Sequence, residues 1–365
     1  MTIPRLMAAV QLVGHGGMDQ LHYSETIPVP IPTDDEVLIR VAAAGVNNVD
    51  VNTRIGWYAS EITGSTETVT RSGLPPAVAG WSGTALTFPR IQGADVCGHI
   101  VRVGSQVSRD RLGERVIVQS CLRSLADGDV TPWLGSDRDG GFAQFVTAPA
   151  LDTYRVDSVL SNAELAAIPC AFSTAENLIA RAQVSAGETV LVTGASGNVG
   201  LAAVQLAGRR GARVVAVAAP AKFRALGDLG ADSCIARDDD LSVRLGPDSV
   251  DVVIDVVGGP RWHQLLDVLK RRGRYAVSGA IAGPMVQLDL RKLYLKDLTF
   301  LGCTTQDARV FPDLIGYLER GEIRPVVSRQ YPLRDIVAAQ EDFVSKKNVG
   351  KVVLIPPRSV GVEEA

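Results

Sequence analysis

Short apolar runs alternate with glycine turns and amphipathic stretches through the second half of the chain, in the succession expected of a wound parallel sheet. Residues 190–192, Val-Leu-Val, form a branched run bounded by Gly187 and Gly194, which suits a strand buried on both faces. After the turn "GASGNVG", Val199, Ala203, Leu206 and Ala207 recur at helical spacing until Gly211 stops the pattern. "ARVVAVA", "VDVVIDVVGG" and "GRYAVSG" supply further buried strands, and a helix is predicted over "PRWHQLLDVLKRR" between the last two.

The first half has a different texture. "DEVLIRVAAAGVNNVDV", "GADVCGHIVRVGSQV", "GERVIVQS" and "GGFAQFVTAPA" are short apolar runs broken by Gly, Asn and Asp, which predict a compact β-rich domain. "RVFPDLIGYLERGEI" then has a helical period and "GKVVLIP" closes the pattern, so the β domain is expected to draw on both ends of the chain. Between Tyr58 and Gly93 lies a long segment rich in Ser, Thr, Gly and Pro, flanked by Trp57 and Trp81; the tryptophans either anchor this loop on the core or face a substrate.

The glycine turn carries the first chemistry. Gly194, Gly197 and Gly200 leave no side chain where the chain turns, where amides approach a ligand and where a helix packs on the sheet. With Ser196, Asn198 and Val199 they form a loop at a helix N-terminus, whose free N–H groups and partial positive charge suit a pyrophosphate. About twenty residues on, where NAD sites place an acid, this chain has Ala218, Ala219 and Pro220, and no carboxylate precedes Asp228. Lys222 and Arg224 follow directly, so NADPH is favoured over NADH; the alternative is that these cations only solvate a helix face.

Composition narrows the classes without choosing among them. The 365 residues suffice for about two domains, and a formal charge of −3 with 21% charged residues offers no support for a nucleic-acid or anionic-membrane partner. No apolar run is long enough to span a bilayer and the N-terminal stretch lacks a secretory pattern, so a cytoplasmic location is expected. Cys97, Cys121, Cys170, Cys234 and Cys303 lie far apart without a C-x-x-C pair, which reads as reduced thiols.

Taken together, "AAAGVNNVDVNTRIGWY", "QGADVCGHIVRVG", "GGFAQFV", "IPCAFSTAENLI", "VLVTGASGNVGLAAVQLA", "YLKDLTFLG" and "GKVVLIP" resemble the medium-chain dehydrogenase/reductase superfamily, specifically its zinc-free quinone oxidoreductase and enoyl reductase branch. The resemblance implies an α/β fold: a Rossmann doubly wound parallel sheet plus a GroES-like β-rich catalytic domain. It implies a catalytic domain over residues 1–157 with an insertion at about 59–92, a Rossmann NADP(H)-binding domain over 158–304, a return to the catalytic domain over 305–356 and a loose tail at 357–365. Zinc-dependent members hold the metal with a Cys after G-V, a His in G-H-E and a Cys opening C-G-x-x-T; the matching positions here are Asn47, Ala94 and Cys170, so no metal site is expected. Cys97 and His99 follow the expected ligand position without occupying it.

By the same resemblance, Asn47 and Tyr58 line the nicotinamide and substrate pocket, and Asn52 replaces a family tyrosine. Asp50 is a further catalytic candidate; for Asp50 and Arg54 the alternative to a catalytic role is a structural one, an ion pair within the domain or a turn contact, and the proton comes from Tyr58 or from water. Thr174 matches a threonine beside the nicotinamide, and Gly279, Ala280, Ile281, Cys303, Thr304 and Thr305 close over it. A homodimer through the last Rossmann strand and a small-molecule substrate are implied. The expected function is NADPH-dependent hydride transfer to a quinone or activated alkene without zinc. An alcohol dehydrogenase with displaced metal ligands and a non-catalytic NADPH-binding protein are the alternatives.

Overall fold

The computed structural model describes residues 3–72, 81, 85–127 and 130–358. Six strands make the sheet of the second half: β1 Thr189–Val192, β2 Arg213–Ala218, β3 Ser233–Ala236, β4 Val250–Asp255, β5 Leu269–Val277 and β6 Thr299–Gly302. Their order across the sheet is β3-β2-β1-β4-β5-β6, with every neighbour parallel. Chain order reverses between β1 and β4, so the loops after these strands part and open a crevice at their carboxyl ends.

The unbroken apolar runs follow from burial on two faces. Val190, Val192, Val214, Val252 and Ile254 pack with the helices Pro169–Arg181 and Asn198–Arg209. Leu191, Val215 and Val253 point the other way, against Trp262, Leu265 and Leu266. The helix expected over residues 260–272 is shorter than its pattern: it is confined to His263–Val268, and Leu269 already opens β5. The basic run hides the strand because Lys270 pairs with Asp251 of β4 and Arg274 with Glu188 beside β1, so its charges tie strands together instead of lining a helix.

The catalytic domain centres on a seven-stranded sheet that includes Glu36–Gly45, Asp95–Val103, Arg115–Val118 and Phe145–Pro149. Lys351–Ile355 joins its middle antiparallel to Glu36–Gly45, and Val327–Pro332 adds to its edge, so both ends of the chain build this domain. Phe311 and Leu314 of the helix Val310–Glu319 enter the nucleotide-side core, and the catalytic sheet regains the chain only at Val327.

Of the insertion at 59–92, residues 66–72 form a helix, and the Thr66 amide at its start donates to the Ile281 carbonyl at 3.1 Å, bridging to the nucleotide domain. Residues 73–80 and 82–84 of that segment, and 359–365 of the tail, lie outside the described residues. Among the described residues no helix is long and apolar enough to cross a membrane.

Candidate active site

The nucleotide wall is built from backbone. Gly194 turns the chain after β1 at φ +55°, and Gly197, in extended conformation, caps the helix Asn198–Arg209. A Cβ on Gly200 would lie 2.3 Å from the Gly194 carbonyl oxygen and 2.6 Å from the Ala195 Cα, so the first helical turn sits directly on the loop because residue 200 has no side chain. The amides of Ser196, Asn198 and Val199 belong to that turn, which faces the crevice with its unsatisfied N–H groups; a dinucleotide's pyrophosphate fits this cradle.

Asp255, at the carboxyl end of β4, fixes the neighbouring loops and was missed in the sequence. Fully buried, it accepts from the Thr193 hydroxyl at 2.5 Å, the Tyr275 hydroxyl at 2.7 Å and the Val257 amide at 2.9 Å. Strands β1, β4 and β5 are thereby tied at the crevice. Gly279, Ala280 and Ile281 follow β5, and Cys303, Thr304 and Thr305 follow β6. The Cys303 amide bonds to the Val277 carbonyl at 2.9 Å, and the Thr305 carbonyl accepts from Asn177 at 3.2 Å. Both segments therefore converge on the same end of the sheet.

Past β2, Lys222 reaches out of the nucleotide domain. Its ammonium donates to the carbonyls of Lys346 at 2.7 Å and Asn348 at 3.1 Å, and desolvation together with the nearby Arg237 lowers its pKa. Lys346, held at φ +54°, rests its ammonium over the Phe343 ring at 4.1 Å and donates to Asn48 at 3.1 Å. Lys346 was missed because it lies far along the chain, at the end of a helix of the other domain.

The catalytic wall is built from buried side chains. Lys351 and Asp95, at 1% and 0% exposure, meet at 2.5 Å, and Asn47 closes the triangle. Its Oδ1 accepts from Lys351 at 2.5 Å, and its amide nitrogen donates to Asp95 at 2.9 Å and to the Gly45 carbonyl at 3.3 Å. The other Asp95 oxygen accepts from the Cys170 amide at 2.6 Å. Asn47 and the backbone of Cys170 are thus locked by one ion pair, which positions them. The Asp50 carboxylate caps the helix Asn48–Arg54 by accepting from the Asn47 amide at 2.7 Å and from the Gly93 amide at 3.2 Å. Burial pushes its pKa up to about 7, against the pull of those two amides.

Asp50 and Arg54 do not pair. The Arg54 guanidinium, fully buried, donates to Gln340 at 3.0 Å and to the Gly16 carbonyl at 2.7 Å, which ties the helix to two distant segments. Burial lowers its pKa to about 10. Tyr58 bonds to Asn52, which accepts from the Thr66 hydroxyl at 3.2 Å, and desolvation raises the phenol's pKa. Thr174 lies inside the helix Pro169–Arg181 and bonds to the Cys170 thiol, whose pKa is raised by burial.

Tyr58 meets Trp81 edge-on at 5.2 Å between ring centroids, and Trp81 lies 4.8 Å from the Trp133 ring. These rings pack with Val49, Ala94, Cys121 and Cys170 in one cluster. The Trp133 ring is buried and its indole N–H has no partner among the described residues, an arrangement that costs roughly 1–3 kcal/mol. No sequence pattern singles out Trp133. Cys97, on the neighbouring strand, turns its thiol toward Asn162 at 3.7 Å, and its pKa is raised by burial to about 12. Among the described residues no three His, Cys, Asp or Glu side chains cluster so as to hold a metal.

Known proteins are similar to this chain in sequence and fold. Residues 33–158 match the alcohol dehydrogenase GroES-like domain, and residues 229–354 match the zinc-binding dehydrogenase family. The chain is 30% identical to the quinone oxidoreductase of Lama guanicoe over 96% of its own length and 98% of that protein's. It is 28% identical to the chloroplastic NADPH-dependent alkenal/one oxidoreductase of Arabidopsis thaliana, over 97% of this chain and 81% of the relative. A crystal structure of a protein described as an alcohol dehydrogenase from Sinorhizobium meliloti 1021 superposes with a TM-score of 0.89 at 44% identity, covering 97% of this chain and 98% of that one. The chain belongs to the medium-chain dehydrogenase/reductase family, with its Rossmann and GroES-like domains. It is an oxidoreductase of that type, and proteins similar to it are pyridine-nucleotide-dependent dehydrogenases and reductases.

Proposed function

We propose that the protein is an NADPH-dependent reductase that transfers hydride to a quinone or an activated alkene without a catalytic metal. The observation that carries this reading is the side-chain set at the three positions that match the metal ligands of zinc-dependent relatives. Asn47 is held by Asp95 and Lys351, Ala94 has no donor atom, and Cys170 is a buried thiol whose pKa is raised. One buried thiol does not assemble the three-ligand site that catalytic zinc requires.

When bound, the reduced nicotinamide supplies a hydride, two electrons with a proton, and is left oxidised. Delivered to the conjugated carbon of an enone or to a quinone, the electron pair ends on a delocalised oxygen, which hydrogen-bond donors stabilise without a Lewis acid. That oxygen then takes a proton from solvent or from Tyr58, whose raised pKa makes it a weak acid and a better donor than proton source. The preference for NADPH is supported by the absence of an acid between Gly200 and Asp228 and by Lys222, Lys346 and Arg237 gathering past β2. Leu290, Tyr294 and Leu295 are exposed on the helix that leads into β6, whose outer edge has no partner strand among the described residues; this suits a homodimer. The free thiols suit the cytoplasm.

The test is to follow NADPH and NADH oxidation by metal-analysed protein across quinones, enones and simple aldehydes. NADPH oxidation with quinones or enones, unaffected by a chelator, is expected. Activity confined to aldehydes and proportional to bound zinc overturns the metal-free reading. NADPH binding without turnover of any acceptor overturns the reductase.

A further inference from the structure

The segment that follows β6 is held at its far end by groups from outside the nucleotide sheet. At its near end the Cys303 amide bonds to the Val277 carbonyl of β5 at 2.9 Å, an ordinary sheet contact. Three residues on, Gln306 is buried and gripped from several sides. Its carbonyl accepts from the Arg123 guanidinium across 183 positions of sequence, its side-chain amide donates to the Ser173 hydroxyl at 2.8 Å, and its backbone N–H donates to the Cys121 sulfur.

These partners take their places from the catalytic domain. Cys121 and Arg123 follow the strand Arg115–Val118, and buried Asp152 fixes their turn by accepting from the Arg123 amide, from the Ser124 amide at 3.2 Å and from the Ser124 hydroxyl at 2.5 Å. Arg123 therefore projects from a prearranged turn. Ser173 donates to the Cys170 carbonyl at 3.4 Å, and the Cys170 amide donates to Asp95, the carboxylate that also holds Asn47. Gln306 and Asn47 thus share one frame, whereas the glycine loop that suits a pyrophosphate rests on β1 and the helix Asn198–Arg209.

We propose that Arg123 is a positioning residue for hydride transfer: by holding Gln306 it sets residues 303–305 against the nicotinamide, so the catalytic domain places the ring while the nucleotide domain places the phosphates. The inference rests on the reading that Cys303, Thr304 and Thr305 cover the nicotinamide. Hydride transfer demands close placement, and a shift of about 1 Å costs up to roughly a hundredfold in rate. Loss of Arg123 therefore harms the ring end of the cofactor and leaves its phosphate end in place.

The test compares two ligands on the full-length protein. Dissociation constants are measured by titration calorimetry for NADP⁺ and for 2′-phospho-ADP-ribose, which lacks the nicotinamide, and kcat is measured with NADPH and 1,4-naphthoquinone. Arg123→Met is expected to weaken NADP⁺ about tenfold, to leave 2′-phospho-ADP-ribose within about twofold, and to lower kcat at saturating NADPH about tenfold. Ser173→Ala removes the second hold on Gln306 without removing a charge. It is expected to move the ratio of the two constants about threefold in the same direction, and it carries the test alone if Arg123→Met does not fold.

Equal weakening of the two ligands in Arg123→Met makes Arg123 a domain tie and overturns the proposal, as does an unchanged NADP⁺ constant with unchanged kcat. Thr304→Trp checks the reading beneath it: residue 304 is exposed, and a ring there is expected to weaken NADP⁺ but not 2′-phospho-ADP-ribose. If it weakens neither, residues 303–305 do not cover the nicotinamide, and the proposal falls with that reading. If the wild type binds NADP⁺ more tightly than 2′-phospho-ADP-ribose but reduces no quinone, the reductase reading fails, while a selective loss of NADP⁺ affinity in Arg123→Met upholds the hold on the ring.

Discussion

The two walls of the cleft are made of different material. On the nucleotide side, Gly194, Gly197 and Gly200 bring main-chain amides to the crevice, and the demanding approach is between backbone atoms of one short turn, residue 200 against residues 194 and 195. On the catalytic side, Asn47, Asp95 and Lys351 lock one another across three strands and their loops, with Lys351 and Asn47 joined over 304 positions of sequence. A backbone site tolerates many side chains but no intrusion. A buried charge network tolerates rearrangement of shape but not the loss of one partner.

Lys351→Met should therefore have the largest effect. It leaves the Asp95 carboxyl without its cation in the core, and breaking a buried pair in this way costs about 3–5 kcal/mol of stability. Removing the charge of Asp95 as well should recover much of that loss, a coupling that a double-mutant cycle in urea reads directly. A loss under about 1 kcal/mol in the single variant would mean that the pair is solvated and does not hold the wall. Gly200→Ala breaks the other wall: its Cβ would press on the Gly194 carbonyl and lift the helix from the loop. A roughly hundredfold weaker NADPH affinity, read by nicotinamide fluorescence, is expected.

This contrast also decides what was legible. The glycine spacing, the strand patterns and the switch point were readable because each is local, set by residues within a few positions of one another. Lys351 opens a strand in "GKVVLIP" and looks like an ordinary strand-end cation; only the sheet, by placing Val353 opposite Gly45, carries it under Asn47. Trp133 and Lys346 escaped for the same reason: what they face is contributed by distant segments. The helix expected over residues 260–272 failed in reverse. Its last residues were read as a helical turn, whereas Lys270 and Arg274 of β5 pair with Asp251 and Glu188 across the sheet.

Asp50 sharpens the comparison through pH. Its carboxyl is raised from an ordinary 3.8 to about 7 in the folded chain, so between those values the folded state binds a proton that the unfolded state lacks. The stabilisation belonging to this proton is present at low pH and is lost as pH rises toward 7. Asp50→Asn, which cannot titrate, removes the dependence. The stability of the wild type relative to this variant should fall by about 2 kcal/mol from roughly pH 5.5 to 8.5, measured by urea unfolding at each pH. A flat difference over that range would mean the two amides outweigh burial and keep Asp50 ionised.

The smallest effect tests where the two walls meet. Lys222 leaves the nucleotide domain and donates to the Lys346 and Asn348 carbonyls of the catalytic domain, so the same ammonium is a domain tie and a candidate partner for the 2′-phosphate. The two roles separate by cofactor. NADH has no such phosphate, so if the ammonium pairs with it, Lys222→Ala should weaken NADPH about tenfold and leave NADH within about twofold. If the ammonium serves as a domain tie instead, the same substitution should weaken both alike, because the cleft that receives them is the same. The NADPH-to-NADH ratio of dissociation constants, taken at fixed ionic strength because charge pairing is screened, decides between them. If that ratio stays constant, Lys222 only fastens the domains and takes no part in the choice of cofactor.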